Sequence, residues 1–164
     1  MHYQQNAEKI KQNIRRADLV TVTNEALAEK CRPFNNNVHI LPNALPYGRN
    51  QFLTDKIESD KIRIFWCGGS THEDDLNLLK GPLRRLHMHR GKIQMVIGGY
   101  TDTDAFSKHI WDRMWSSFTD GGRLPNKKLP GMMATNYMEM YREADIMLIP
   151  LESSEWHACK SNLK

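Results

Sequence analysis

The residues best suited to chemistry lie in the stretch CGGSTHEDDL, at positions 67–76. It passes through two glycines, a serine, a threonine and a histidine before three acids begin a new periodic segment. A glycine-rich turn after a strand lets the backbone approach a ligand, and the start of a helix offers unpaired amide groups to an anion. A phosphate group would therefore fit this stretch.

The same stretch also has an explanation that needs no ligand. Ser70 followed by Glu73 has the spacing of a capping box, in which the serine caps a helix and the glutamate reaches back. Glu73, Asp74 and Asp75 suit the positive end of a helix dipole, but their charges would repel a phosphate. The residues alone leave both interpretations open.

The whole chain has the composition of one globular domain, or of one domain with a remnant of another. Of its 164 residues, 40% are hydrophobic and 26% charged. It contains no apolar run of about 18 residues and no apolar signal core at its start. Cys31, Cys67 and Cys159 lie far apart, which predicts reduced thiols. We expect a cytoplasmic location, with peripheral membrane attachment of the full-length protein as an open alternative.

Charge and histidine positions bear on the partners. The net charge of +4 would permit an anionic partner, but the cations are dispersed and there is no basic–aromatic groove, so we expect no nucleic acid. His72 with Asp75, and His87 with His89, are pairs without a third ligand. We therefore expect neither a metal nor another cofactor.

Helical and strand signals alternate along the chain, which predicts an α/β fold with a Rossmann-like parallel sheet and flanking helices. We predict helices over residues 6–16, 24–31, 73–90, 104–118 and 136–144, and strands over 18–23, 38–41, 62–67, 93–97 and 145–151. Gly81 and Pro82 should kink the third helix. The strands and one apolar helical stripe predict a single core, built from Ile64, Phe65, Val96, Ile97, Ile146, Leu148 and the leucines at 76, 79, 83 and 86.

In an open parallel sheet the loops at the carboxyl ends of the strands share one edge, where ligands bind. Three loops qualify, at residues 68–72, 98–100 and 150–161. The last would bring Glu152, Glu155, His157 and Lys160 to that edge. Three such loops together predict a ligand site.

Several segments, in order, resemble the middle of a family-4-type glycosyltransferase of the GT-B fold. They are ADLVTVTNEAL, VHILPNAL, FWCGGSTHEDDL, YREADIMLIPLE and KSNLK, which together span most of the chain. The resemblance implies that residues 1–43 are a remnant of the N-terminal, acceptor-side domain, that 44–60 are a linker, and that 61–164 belong to a truncated nucleotide-sugar-binding domain.

The resemblance also implies which residues bind the donor. Gly69, Ser70 and His72 would face its diphosphate, and the segment at 129–133, with Leu129 and Gly131, would meet its nucleobase. Lys160, Ser161 and Asn162 would meet the phosphates. His72 stands where many relatives have lysine, so hydrogen bonding rather than permanent charge is its expected role.

A common pair of glutamates, seven residues apart in this family, is missing. Cys159 stands at the first position, and the second lies beyond Lys164. We expect a fragment that is truncated at both ends, inactive alone, and prone to self-association through an uncovered sheet. No catalytic residue is assigned.

The implied full-length activity is retaining transfer from a nucleotide-diphosphate sugar to an unidentified sugar, lipid or protein acceptor. Two alternatives stay open. One is a non-catalytic α/β nucleotide-binding module, and the other is a sugar-nucleotide epimerase of the GT-B fold.

Overall fold

A computed structural model describes residues 2–44, 55–133 and 135–160, with side chains from residue 6 onward. The chain divides into two compact units. The first comprises Met1–Leu45 with Ser153–Lys164, and the second comprises Pro46–Glu152. The final segment is thus grouped with the first unit, whereas the sequence places it in the second domain. Most of the predicted linker lies outside the described residues, and 55–59 form neither helix nor strand.

The elements are, in chain order, α1 His2–Arg16, β1 Val20–Val22, α2 Glu25–Cys31, β2 Val38–Ile40, β3 Ile62–Cys67, α3 Glu73–Asn77, α4 Lys80–Arg85, a 3-10 helix Leu86–His89, β4 Ile93–Tyr100, α5 Ala105–Thr119, β5 Asn126–Pro130, a 3-10 helix Tyr137–Glu143, β6 Ile146–Met147 and α6 Glu155–Ala158. None of the described helices is long and apolar enough to cross a membrane.

The first unit has a parallel pair of strands, β1 and β2. Asn24 caps α2, and its side chain accepts a hydrogen bond of 2.9 Å from the Leu27 amide. Val22, Ala28 and Cys31 form its buried core.

The second unit contains a four-stranded parallel sheet in the order β5-β4-β3-β6. Helices pack against it, so the predicted α/β, Rossmann-like fold is confirmed. Residues of β3 are buried from Arg63 to Cys67, which is the continuous burial expected of a central parallel strand.

The prediction of a single core is wrong, because successive side chains of a strand point to opposite faces of the sheet. Ile64 and Trp66 belong to one buried cluster with α3, α4 and α5, while Phe65 and Cys67 belong to another with the 3-10 helix Tyr137–Glu143. Leu76 and Leu83 are buried in the first cluster, and Leu79, Leu86 and Leu148 pack against it. Ile146, predicted to be core, is 48% exposed.

The predicted helix over 73–90 is broken into three shorter helices rather than kinked. Pro82 lies in the first turn of α4, where its missing N–H leaves no helical hydrogen bond unmade. The chain therefore ends α3 at Asn77 and begins a new helix before the proline. This leaves α3 only 5 residues long.

Other boundaries also differ. β5 was predicted as loop, the segment at 136–144 forms a 3-10 helix, and β6 is 2 residues long. Pairing with β3 nevertheless extends on both sides of β6, because the Asp145 amide donates to the Arg63 carbonyl and the Leu148 amide to the Phe65 carbonyl.

Candidate functional site

The loop that follows β3 touches the last residues of β4 at the carboxyl edge of the four-stranded sheet. Gly99 has a φ of +90°, and a Cβ atom there would lie 2.7 Å from the Gly68 carbonyl oxygen. A Cβ on Gly68 would lie 2.8 Å from the Trp66 ring. Only glycine fits this junction, because the Gly68 carbonyl oxygen occupies the space for a side chain at Gly99, and the Trp66 ring occupies the space for one at Gly68.

The end of β5 joins the same junction. The Gly131 amide donates to the Tyr100 carbonyl at 3.1 Å, and a Cβ on Gly131 would lie 3.6 Å from the Gly99 carbonyl oxygen. Leu129, by contrast, buries its side chain in the second cluster. The structure thus brings the predicted Gly131 next to the glycine junction, with Leu129 as the strand residue that anchors it.

The predicted capping box is wrong. Helix α3 begins at Glu73 with His72 in the capping position, and no side chain caps it. Ser70 and Thr71 form a turn before the helix, so Glu73 is too early in the helix to reach back to a serine cap. Glu73 pairs instead with Arg113. Ser70 and Gly69 are exposed, and the space around a Cβ on Gly69 is open.

His72 is held in place by a buried acid. Its Nδ1 lies 2.7 Å from Oδ2 of Asp75, which is 2% exposed. Its ring lies edge-on to Trp66, with ring centroids 5.9 Å apart. Oδ1 of Asp75 accepts a 2.8 Å hydrogen bond from the Glu152 amide, in the loop that follows β6. Asp75 therefore connects two loops of the edge.

The contacts of Glu73 and Asp75 reduce the repulsion that the sequence predicts between the three acids and a phosphate. Arg113 offsets the charge of Glu73, and Asp75 bonds to His72 and to a backbone amide, whereas Asp74 is exposed. Two of the three carboxylates that would repel a phosphate are thus occupied by donors. Their repulsion of an anion at the neighbouring loop is correspondingly reduced.

A buried thiol with two phenols lies at the end of β3. The Tyr137 hydroxyl donates to Cys67 Sγ at 3.2 Å, and the thiol in turn donates to the Tyr141 hydroxyl at 3.2 Å. Burial, followed by the contact with Cys67, raises the pKa of both tyrosines, so both stay neutral at physiological pH. Nothing in the sequence spacing links these residues across about 70 positions, so sequence reasoning missed the cluster.

At the end of β4, Tyr100 donates to Asp112 at 2.6 Å, and Lys128 lies 3.9 Å from the centre of the Tyr100 ring. Hydrogen bonds from Lys108 and Tyr100 hold the pKa of Asp112 well below its usual range. These contacts, which the sequence did not predict, hold the side chain of Tyr100 next to Gly99.

The remaining predicted residues lie in or beyond the first unit. The Lys160 carbonyl accepts from Asn24, Glu155 pairs with Lys30, and His157 contacts Ser154. Ser161 and Asn162 lie outside the described residues. Among the residues that are described, no group of three or more His, Cys, Asp or Glu side chains could hold a metal ion.

Comparison with models of known protein families and with curated protein sequences finds no match to this chain. The functional interpretation therefore depends on the geometry of the edge and on the resemblance of its motifs.

Proposed function

We propose that the second unit binds the nucleotide-diphosphate part of a sugar donor, as part of a retaining glycosyltransferase. The observation that carries this proposal is the contact between the glycine loop after β3 and the glycines at the end of β4, where a Cβ on Gly99 would lie 2.7 Å from the Gly68 carbonyl oxygen. Ligands of open parallel sheets bind at this edge, and glycines let a pyrophosphate come close to the backbone.

The binding loop would act through its backbone. α3 is 5 residues long, so its dipole is small, and the amides of residues 68–72 would carry most of the interaction. Gly69 is the position at which a phosphate could approach without displacing protein atoms, because nothing lies within 4 Å of a Cβ built there. His72 would add a hydrogen bond when its Nε2 atom carries a hydrogen.

Gly131 would meet the nucleobase, as the motif resemblance implies. Its proximity to Gly99 supports this, since only a ribose separates the base of a nucleotide from its diphosphate. The transfer step itself is proposed from the resemblance alone, with no residue assigned as nucleophile, acid or base. The acceptor is likewise unassigned.

The proposal is tested by titration calorimetry with uridine, guanosine and adenosine diphosphates, each with and without EDTA. One of them should bind, and chelation should not abolish the heat. Gly69→Ala should weaken binding about tenfold without changing the unfolding midpoint, because the new methyl group meets ligand rather than protein.

Gly91→Ala is the matched control, since Gly91 also has open space but lies before β4, at the opposite end of that strand from the site. It should leave affinity unchanged. The proposal fails if none of the three nucleotides binds, or if Gly69→Ala and Gly91→Ala bind as well as each other.

A further inference from the structure

One buried carboxylate contacts two separate loops of the candidate site. The His72 ring and the Glu152 amide each take one oxygen of Asp75, at 2.7 Å and 2.8 Å. The His72 ring also lies against the first glycine loop, because a Cβ on Gly68 would be 3.3 Å from its Cδ2 atom. Asp75 thus reaches both the loop after β3 and the loop after β6.

Holding the Glu152 amide does not by itself require a charge. An asparagine oxygen would accept the same hydrogen bond at a smaller desolvation cost, because burying a carboxylate is expensive unless both oxygens are satisfied. The second oxygen faces His72 Nδ1. With one oxygen bonded to the Glu152 amide, only an acid has a second oxygen that can accept a hydrogen bond from His72.

This contact decides where the His72 proton lies. An ionised carboxylate has no hydrogen to donate, so the hydrogen between the two groups belongs to Nδ1 of the ring. A neutral His72 then carries its proton on Nδ1, and its Nε2 atom is a hydrogen-bond acceptor. Without the carboxylate, this contact would no longer place the proton on Nδ1.

We propose that Asp75 is a positioning residue of the candidate site, which fixes the tautomer and orientation of His72 and ties the Glu152 loop to it. Asp75 acts through these two groups and not by touching the ligand. The consequence for nucleotide affinity rests on the proposed function, whereas the consequence for the His72 tautomer does not.

The decisive experiment is ¹⁵N NMR of the His72 ring in the ligand-free chain, above the pH at which the ring becomes neutral. The wild-type protein should show the proton on Nδ1. In Asp75→Asn, the asparagine oxygen is needed by the Glu152 amide, so its NH₂ group faces the ring and donates to Nδ1. The His72 proton should therefore move to Nε2, while the Glu152 amide stays protected from hydrogen exchange.

Nucleotide titration then measures the effect on the site. Asp75→Asn should raise the affinity for the best-binding nucleoside diphosphate by up to about tenfold, because a diphosphate only accepts hydrogen bonds and the variant ring carries a hydrogen on Nε2 that it can donate. Asp74→Asn removes the same charge from an exposed neighbour and should leave the His72 tautomer unchanged, so its nucleotide affinity measures the effect of charge alone.

The outcomes separate the two proposals. Wild-type His72 with its proton on Nε2, or an unchanged tautomer in Asp75→Asn, overturns the role of Asp75 whether or not a nucleotide binds. The expected tautomers without nucleotide binding support the positioning role and refute the proposed function. If Asp75→Asn does not fold, the wild-type spectrum alone decides the tautomer.

Discussion

Replacing Gly99 by alanine probes the junction of the two glycine loops directly. The added methyl group would lie 2.7 Å from the Gly68 carbonyl oxygen and 3.3 Å from the Trp111 ring. Neither neighbour is the flexible end of a side chain, since one is backbone and the other is a buried aromatic ring. The loop after β3 must therefore move away from β4, or β4 must shift, to admit the alanine.

Two costs add at this position. An L-residue at a φ of +90° costs roughly 1–2 kcal/mol relative to glycine. Overpacking against fixed neighbours costs roughly a further 1–3 kcal/mol. We therefore expect Gly99→Ala to lower the free energy of unfolding by about 3 kcal/mol, a large share of the roughly 5–15 kcal/mol of a typical domain.

Urea unfolding of Gly99→Ala and of Gly91→Ala measures this cost. With a slope of about 2 kcal/mol per molar urea, the midpoint should fall by about 1.5 M in Gly99→Ala. In Gly91→Ala, where the methyl group meets open space, the free energy of unfolding should change by less than about 0.5 kcal/mol. Equal midpoints in the two variants would refute the close approach of the loops.

Three further changes test other contacts. Asp145→Asn removes the main partner of Arg63, which is 3% exposed, and should lower the free energy of unfolding by about 2 kcal/mol. The cost is smaller than in a fully buried pair because Asp145 is partly exposed. Because Arg63 holds the folded-state pKa of Asp145 well below its usual range, the wild type should lose this stability as pH falls below about 4, and acid titration of unfolding should show that loss missing in the variant. Tyr141→Phe should cost about 1 kcal/mol in thermal unfolding by removing the acceptor of the Cys67 thiol. Asn24→Ala should cost about 1 kcal/mol in urea unfolding through the lost cap of α2.

The parts of the fold that follow from local pattern were predicted from sequence. β3 has the predicted bounds, because a buried parallel strand is a continuous apolar run. The helix predicted over 24–31 is α2, which Asn24 caps, because a helix and its cap are formed by residues adjacent in the chain. The order of strands and helices also follows from alternating patterns, and with it the edge on which the loops lie.

The parts that depend on distant contacts were not predicted. β5 carries Lys127 and Lys128, which read as loop, but the former pairs with Glu143 and the latter lies over Tyr100. An edge strand tolerates such cations because one of its sides is unpaired.

In the candidate site, too, local features were predicted from the sequence and contacts between distant residues were not. Its glycines are visible in the sequence, since no other residue type allows a close backbone approach. The bond from Asp75 to the Glu152 amide joins positions 77 apart, and no local spacing indicates it. The sequence indicated His72 as a site residue, but not the acid that holds it.

The central claim, that a nucleoside diphosphate binds at the carboxyl edge of the four-stranded sheet, is tested most directly by amide NMR during a nucleotide titration. Shifts should concentrate at residues 68–72, 99–101 and 131, where the three loops meet. They should be absent from the groove at the opposite end of β3, which is lined by residues 56–63 and Asp145. Shifts confined to that groove, or no shifts with any of the three diphosphates, would contradict the claim.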